Sequence, residues 1–162
     1  MEKIDFQHFL EQFQEVELPF TLRTETYEEL SAGRDPLHIA MIEQYVMDED
    51  EEDDGMTEYI ACCRLQKHDN YEAVIYWRAG LLTYEYVLKT YTKDGVGVID
   101  SQMIAGTVVK DDVMVESIAT IQDDRIIYIA IGASDVHTLD FDTSKNKVRH
   151  LEIFEDGTIV ES

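Results

Sequence analysis

From Thr57 to the end of the chain, apolar and polar positions alternate with a period of two, and short polar segments interrupt the alternation. This pattern predicts strands at 57–65, 71–79, 81–91, 97–109, 113–121, 125–131, 136–141, 147–154 and 158–161. Turn chemistry separates several of them: Lys93-Asp94-Gly95, Lys110-Asp111-Asp112, Gln122-Asp123-Asp124 and Glu155-Asp156-Gly157. A parallel crossover needs a dozen or more residues, and these separators are far shorter, so consecutive strands are expected to run antiparallel. Gly106 interrupts a strand pattern and predicts a bulge or bend. Arg125–Ile131 is nearly all apolar and reads as a strand covered on both faces.

The centre of this pattern is Tyr71–Tyr91, which holds the single tryptophan, Trp77, and five of the nine tyrosines. Alternation sets Tyr71, Ala73, Ile75 and Trp77 against Glu72, Val74, Tyr76 and Arg78, with a turn expected at Ala79-Gly80. Beyond that turn, Leu82, Tyr84, Tyr86 and Leu88 share a face. Neither face of either strand is purely polar, which places this hairpin inside the sheet with both sides covered.

The first third of the chain has a different period. Phe6, Phe9, Leu10, Phe13 and Val16 fall on one side of a helix expected over 5–16, with Asp5 as its N-cap and Pro19 beyond its end. Such an aromatic stripe packs on its own domain more often than on a partner. Thr26-Tyr27-Glu28-Glu29 resembles a capping box opening a short helix. Asp35-Pro36 predicts the start of another, with Leu37, Met41, Ile42, Tyr45 and Val46 as its apolar face. The chain is thus expected to be a single α+β domain. Residues 1–47 form a helical N-terminal region, 48–56 an acidic linker, and 57–162 an antiparallel β-meander. The helices pack on a long, curled meander of about seven to nine strands, a curled sheet or partly open barrel.

Charge adds a constraint on partners. The chain carries 35 acids against 13 bases, a formal net charge of −22. Residues 1–60 hold 18 of the acids and only 3 of the bases. Nucleic acid and anionic membranes would be repelled, whereas a basic protein would be attracted. The densest part is Asp48–Asp54, seven consecutive acids closed by Gly55. An EF-hand register beginning at Asp50 places Gly55 correctly but sets Ala61 where a bidentate glutamate is required, so that motif is rejected. No apolar run near the start suits a signal peptide, and none is long enough to span a membrane, so a cytoplasmic location is expected. Cys62 and Cys63 are adjacent in a strand, where alternation would point them to opposite faces, and they read as reduced, buried thiols.

Recognisable catalytic chemistry is sparse. His8, His38, His68, His137 and His150 have no metal-ligand spacing, although His137 and His150 could face each other across a 136–141/147–154 hairpin. No HExxH, GxSxG, Walker loop or GxGxxG occurs. No catalytic, metal or cofactor-binding residue is therefore assigned, and no cofactor is expected. The informative charges are Arg78 and Glu85, expected to pair across the central hairpin. With the neighbouring aromatics they define a candidate ligand face: Tyr76, Trp77, Arg78, Tyr84, Glu85 and Tyr86. Three functional classes follow, in order of preference. The first is a noncatalytic interaction or regulatory module, with an inhibitor or immunity-like protein as a subtype. The alternative is a small-ligand binder using the aromatic face, and the third is a hydrolase or isomerase with unrecognised carboxylates.

Overall fold

The computed structural model describes residues 3–32, 35–47, 55–137 and 141–162, with backbone only over 141–145. The acidic run 48–54 lies outside the described residues. The elements in chain order are α1 (Phe6–Leu10), β1 (Gln14–Val16), β2 (Phe20–Leu22), α2 (Thr26–Ser31) and α3 (Ile39–Met41), which continues as a π-helical turn (Ile42–Val46). The strands β3 (Glu58–Leu65), β4 (Glu72–Gly80), β5 (Thr83–Tyr91), β6 (Val98–Lys110), β7 (Val113–Ile121), β8 (Ile126–Asp135), β9 (Phe141–Ile153) and β10 (Ile159–Glu161) follow.

From β3 to β10 every neighbour in sequence is an antiparallel neighbour in space, as the short turns require. The α+β class with a long meander is what the sequence predicts. Two short strands complete the sheet in a way the turn argument does not reach. β1 adds to β3 in parallel, and β2 pairs with the far half of β7. The sheet is not closed into a barrel.

β2 finds room because β6 divides the sheet. Only Gly106–Lys110 of β6 pair with β7, while Ala119–Ile121 of β7 pair with β2. Gly106 sits at the division with φ +142°, a conformation that side chains disfavour. Two leaves result, β1-β3-β4-β5-β6 and β2-β7-β8-β9-β10, with a common core. That core includes Ile75, Trp77, Tyr86 and Leu88 from one leaf and Ala119, Ile127, Ile129 and Leu151 from the other. Polar contacts join the leaves: Thr90 Oγ1 donates to the Gly157 carbonyl at 2.7 Å, and Arg125 donates to the Gln66 carbonyl at 2.6 Å and the Tyr71 hydroxyl at 3.0 Å.

A second core lies on the opposite side of β3, β4 and β5. Phe6, Phe9, Leu10 and Phe13 meet Leu37, Met41, Ile42, Tyr45 and Val46 there, over Val74, Tyr76, Val87 and Tyr91. The central hairpin is thus walled on both faces, in line with its lack of a polar side. Both predicted helical stripes are buried, but in shorter helices. α1 is capped by Asp5, whose side chain accepts from Gln7 N at 3.3 Å, yet it ends at Leu10. Residues 14–16, expected in that helix, are strand because pairing with Cys63–Leu65 prevails over local helical periodicity. The third helix begins at Ile39 instead of Pro36, with His38 Nδ1 and not Asp35 as the side-chain cap. Thr26 makes no capping box, for its hydroxyl accepts from Arg23 N at 2.8 Å.

Two strand expectations are also corrected. Cys62 occupies a bulge between the Ala61 and Cys63 rungs, so both thiols enter the same core instead of opposite faces. Val136 and His137, expected to open a strand over 136–141, form a turn, and 138–140 lie outside the described residues. β8 continues to Asp135 and β9 is one long strand, which places His150 against Tyr128 and His137 beside Asp112, apart from one another.

Candidate interaction surface

The β4–β5 hairpin is in full antiparallel register from Glu72–Tyr91 to Gly80–Thr83. The turn therefore falls at Leu81-Leu82, not at Ala79-Gly80, and Gly80 is part of the ladder. Arg78 lies opposite Glu85, and their side chains form an ion pair, as expected from the sequence. Its side chains are 31% and 17% exposed, which makes it a half-buried brace across the hairpin.

The six residues of the candidate ligand face do not share a face. Tyr76 belongs to the helix-covered core, where its ring lies 6.1 Å from Tyr59. Trp77 and Tyr86 belong to the core between the leaves. Tyr27 of α2 stacks on Trp77 at 4.2 Å and 7°, and Tyr86 meets the indole edge-on at 4.6 Å. The Tyr86 hydroxyl donates to the Arg23 carbonyl at 2.7 Å and accepts from Tyr27 N at 2.8 Å. Burial raises the Tyr86 phenol well above its ordinary range. Of the five aromatic and charged neighbours of Trp77 in the set, Tyr84 is the most open. It is 43% exposed and continues the stack at 6.0 Å from Trp77.

The sequence reading overlooked the apex of the hairpin. Leu81 is 80% exposed and Leu82 54%, and Leu82 adopts φ +62°. A two-residue hairpin turn ordinarily takes Asn, Asp or Gly at such a position. Two consecutive leucines there were the signal, hidden because Gly80 offered a more conventional turn.

Five of the cations are committed within the fold. Lys89 is 1% exposed and its Nζ donates to the Val46 carbonyl at 2.7 Å; Arg125 is 8% exposed. Lys93 holds Glu72 at 2.6 Å, and Arg149 Nε holds Glu161 at 2.7 Å. With Arg78, this turns five of the 13 lysines and arginines inward or ties them to carboxylates. Against 35 acids, the other eight lysines and arginines offset only part of the negative charge.

Other chemistry is limited. A shallow groove of about 530 Å³ runs beside β7, β8 and β9, lined by Glu116, Ile118, Ala130, Gly132, Lys147 and Val148 among others. No group of three or more metal-ligating side chains occurs among the described residues. Burial pushes the Cys62 thiol up to about 12, and Cys63 well above its ordinary value, so both are poor nucleophiles. Backbone N–H groups of Val96 and Thr158 hold the Asp94 and Asp156 carboxyls below the usual range, as carboxylates in tight turns. No helix among the described residues is long and apolar enough to cross a membrane. No family model, curated protein or solved structure matches the chain.

Proposed function

We propose that the protein is a noncatalytic interaction module whose acidic surface receives a basic protein, with inhibition of that partner as the most direct regulatory use. The observation that carries this reading is the disposition of charge. A net charge of −22 stands against 13 lysines and arginines, five of which are buried or held in ion pairs, so an acidic field acts on solvent and on partners. Such a field accelerates encounter with a basic surface and fades as salt screens it over roughly 10 Å at 0.1 M. The shifted titratable groups support a structural role: they are core thiols and phenols and turn aspartates.

The test is capture from native cytosol at low salt on the immobilised full chain. One discrete basic protein should be retained, and raising the salt should slow its association. Replacing Asp48–Asp54 by their amides should slow association likewise. The groove beside β7–β9 favours a second reading, binding of a small, largely apolar molecule. Its signature would be a melting temperature raised by a metabolite, since a ligand that binds only the folded state stabilises it. That result, together with no captured basic protein, would overturn the interaction reading.

A further inference from the structure

The geometry points to the Leu81-Leu82 apex as an anchor that enters an apolar pocket bordered by lysine or arginine on a basic protein partner. This rests on the reading of the chain as an interaction module and specifies where its partner is held.

Three features converge on the apex. The first is its apolar character: Leu81 and Leu82 are 80% and 54% exposed, and Met56, which leads into the neighbouring strand, is 71% exposed. Folding gains little from side chains left in water. The second is backbone strain. Leu82 at φ +62° occupies a region that Gly or Asn enters far more readily than a branched residue. A position that is both strained and apolar yet exposed is a poor solution for a turn, and such outliers concentrate where a chain meets something else.

The third is rigidity. Gly80 pairs with Thr83, the Leu82 carbonyl accepts from Val109 N at 2.9 Å, and the Arg78–Glu85 pair braces the strands below. Tyr84 is backed by Trp77 and then Tyr27 in a continuous stack into the core. An anchor already held in place loses little conformational freedom on binding, and a half-exposed tyrosine beside it suits an interface.

The surroundings select the partner. The same end of the sheet carries Glu58 opposite Ala79, Asp111 and Asp112 at the β6–β7 turn, and Asp135 opposite Val113. Among the described residues the ring also holds Lys110, and His137 Nε2 lies 3.3 Å from Asp112 Oδ1. An apolar knob ringed by carboxylates matches a pocket ringed by cations. An anionic lipid surface would repel that ring, and a second copy would set like charge against like.

The test uses the full chain and the basic protein retained at low salt, purified and measured by surface plasmon resonance. Leu82→Asn keeps a residue tolerant of the left-handed turn, so its melting temperature should equal or exceed that of the parent. Leu81→Ser provides a second variant. Each should weaken binding at least tenfold through faster dissociation while keeping the salt dependence. Asp111→Asn with Asp112→Asn should instead slow association. A p-benzoylphenylalanine at position 81 should cross-link to an apolar segment flanked by lysine or arginine. Unchanged binding by both leucine variants, in a protein that still captures its basic partner, would overturn the anchor and leave the interaction module standing. Retention of no basic protein would overturn both. A parent chain that dimerises in sedimentation, with Leu82→Asn restoring the monomer, would make the apex a self-interface and overturn the proposed partner.

Discussion

Gly106→Ala isolates the device that divides the sheet. A Cβ built on Gly106 would lie 2.0 Å from the Tyr84 carbonyl oxygen, 2.9 Å from Glu85 Cα and 3.0 Å from the Tyr84 carbonyl carbon. All three are backbone atoms of β5, so relief requires the strands to separate instead of a side chain turning aside. Over-packing of this kind costs about 1–3 kcal/mol. The positive φ of +142° adds a backbone penalty of about 1–3 kcal/mol for any side chain. The sum centres near 4 kcal/mol, a large share of the roughly 5–15 kcal/mol that holds a domain together. For a chain of this size, each kcal/mol moves the melting temperature by about 2–4 °C, so a fall of about 8–16 °C is expected. Circular dichroism and Trp77 fluorescence should report the same transition. Gly97→Ala supplies the internal control, because its Cβ would meet only the Thr92 side chain, Cγ2 at 3.5 Å and Oγ1 at 3.8 Å, both ordinary contacts. A Gly106→Ala protein melting within about 2 °C of the parent would refute the reasoning, because the close approach of β5 and β6 would then carry no penalty.

Tyr86→Phe leaves the Arg23 carbonyl and the Tyr27 amide without their hydroxyl partner inside the core, and urea unfolding should register a loss of about 1–3 kcal/mol. Cys62 and Cys63 are both 0% exposed, so neither should react with Ellman's reagent at pH 8 until the chain is unfolded, when both should. Their raised pKa also fixes an alkaline limit. Unfolded thiols ionise near pH 9 while the folded Cys62 thiol waits until about 12, so unfolding releases protons in that window. Stability should be intact below pH 9 and decline toward pH 12 by up to about 1.4 kcal/mol per pH unit per thiol, with Cys62→Ala flattening the slope in alkaline urea titrations.

The meander was legible because its signals are local. Period-two alternation and polar turns fix antiparallel neighbours without reference to the rest of the chain, whereas the Arg78–Glu85 alignment depends on a turn at Leu81-Leu82, two residues beyond the expected one. The aromatic stripe of α1 and the apolar face of α3 announced burial correctly, since periodicity reports which side is covered even where it misjudges length. What was hidden depends on distant partners. Gln14–Val16 has helical periodicity and becomes strand only because Cys63–Leu65 offers an edge. The Cys62 bulge and the extension of β8 to Asp135 are matters of register, which alternation alone does not fix. The residues of the candidate ligand face are divided for a similar reason: Tyr76 serves one core, Trp77 and Tyr86 the other, and Tyr84 stays half-exposed. The exposed apex was obscured by assigning the turn to the adjacent glycine.

The pairing of β2 with β7 has a consequence for the order in which the protein takes shape. Thr21 and Thr120, whose hydroxyls meet at 3.0 Å, are 99 positions apart in the chain. At roughly 5–20 residues per second, synthesis separates them by about 5–20 s. During that interval the hairpins from β3 to β6 can form from neighbouring residues alone, whereas β2 has emerged with its eventual strand partner still unmade. Assembly on the ribosome is therefore divided into an early, local phase and a closing phase that awaits the second leaf. β2, made before every strand of the meander, is among the last pieces to find its place.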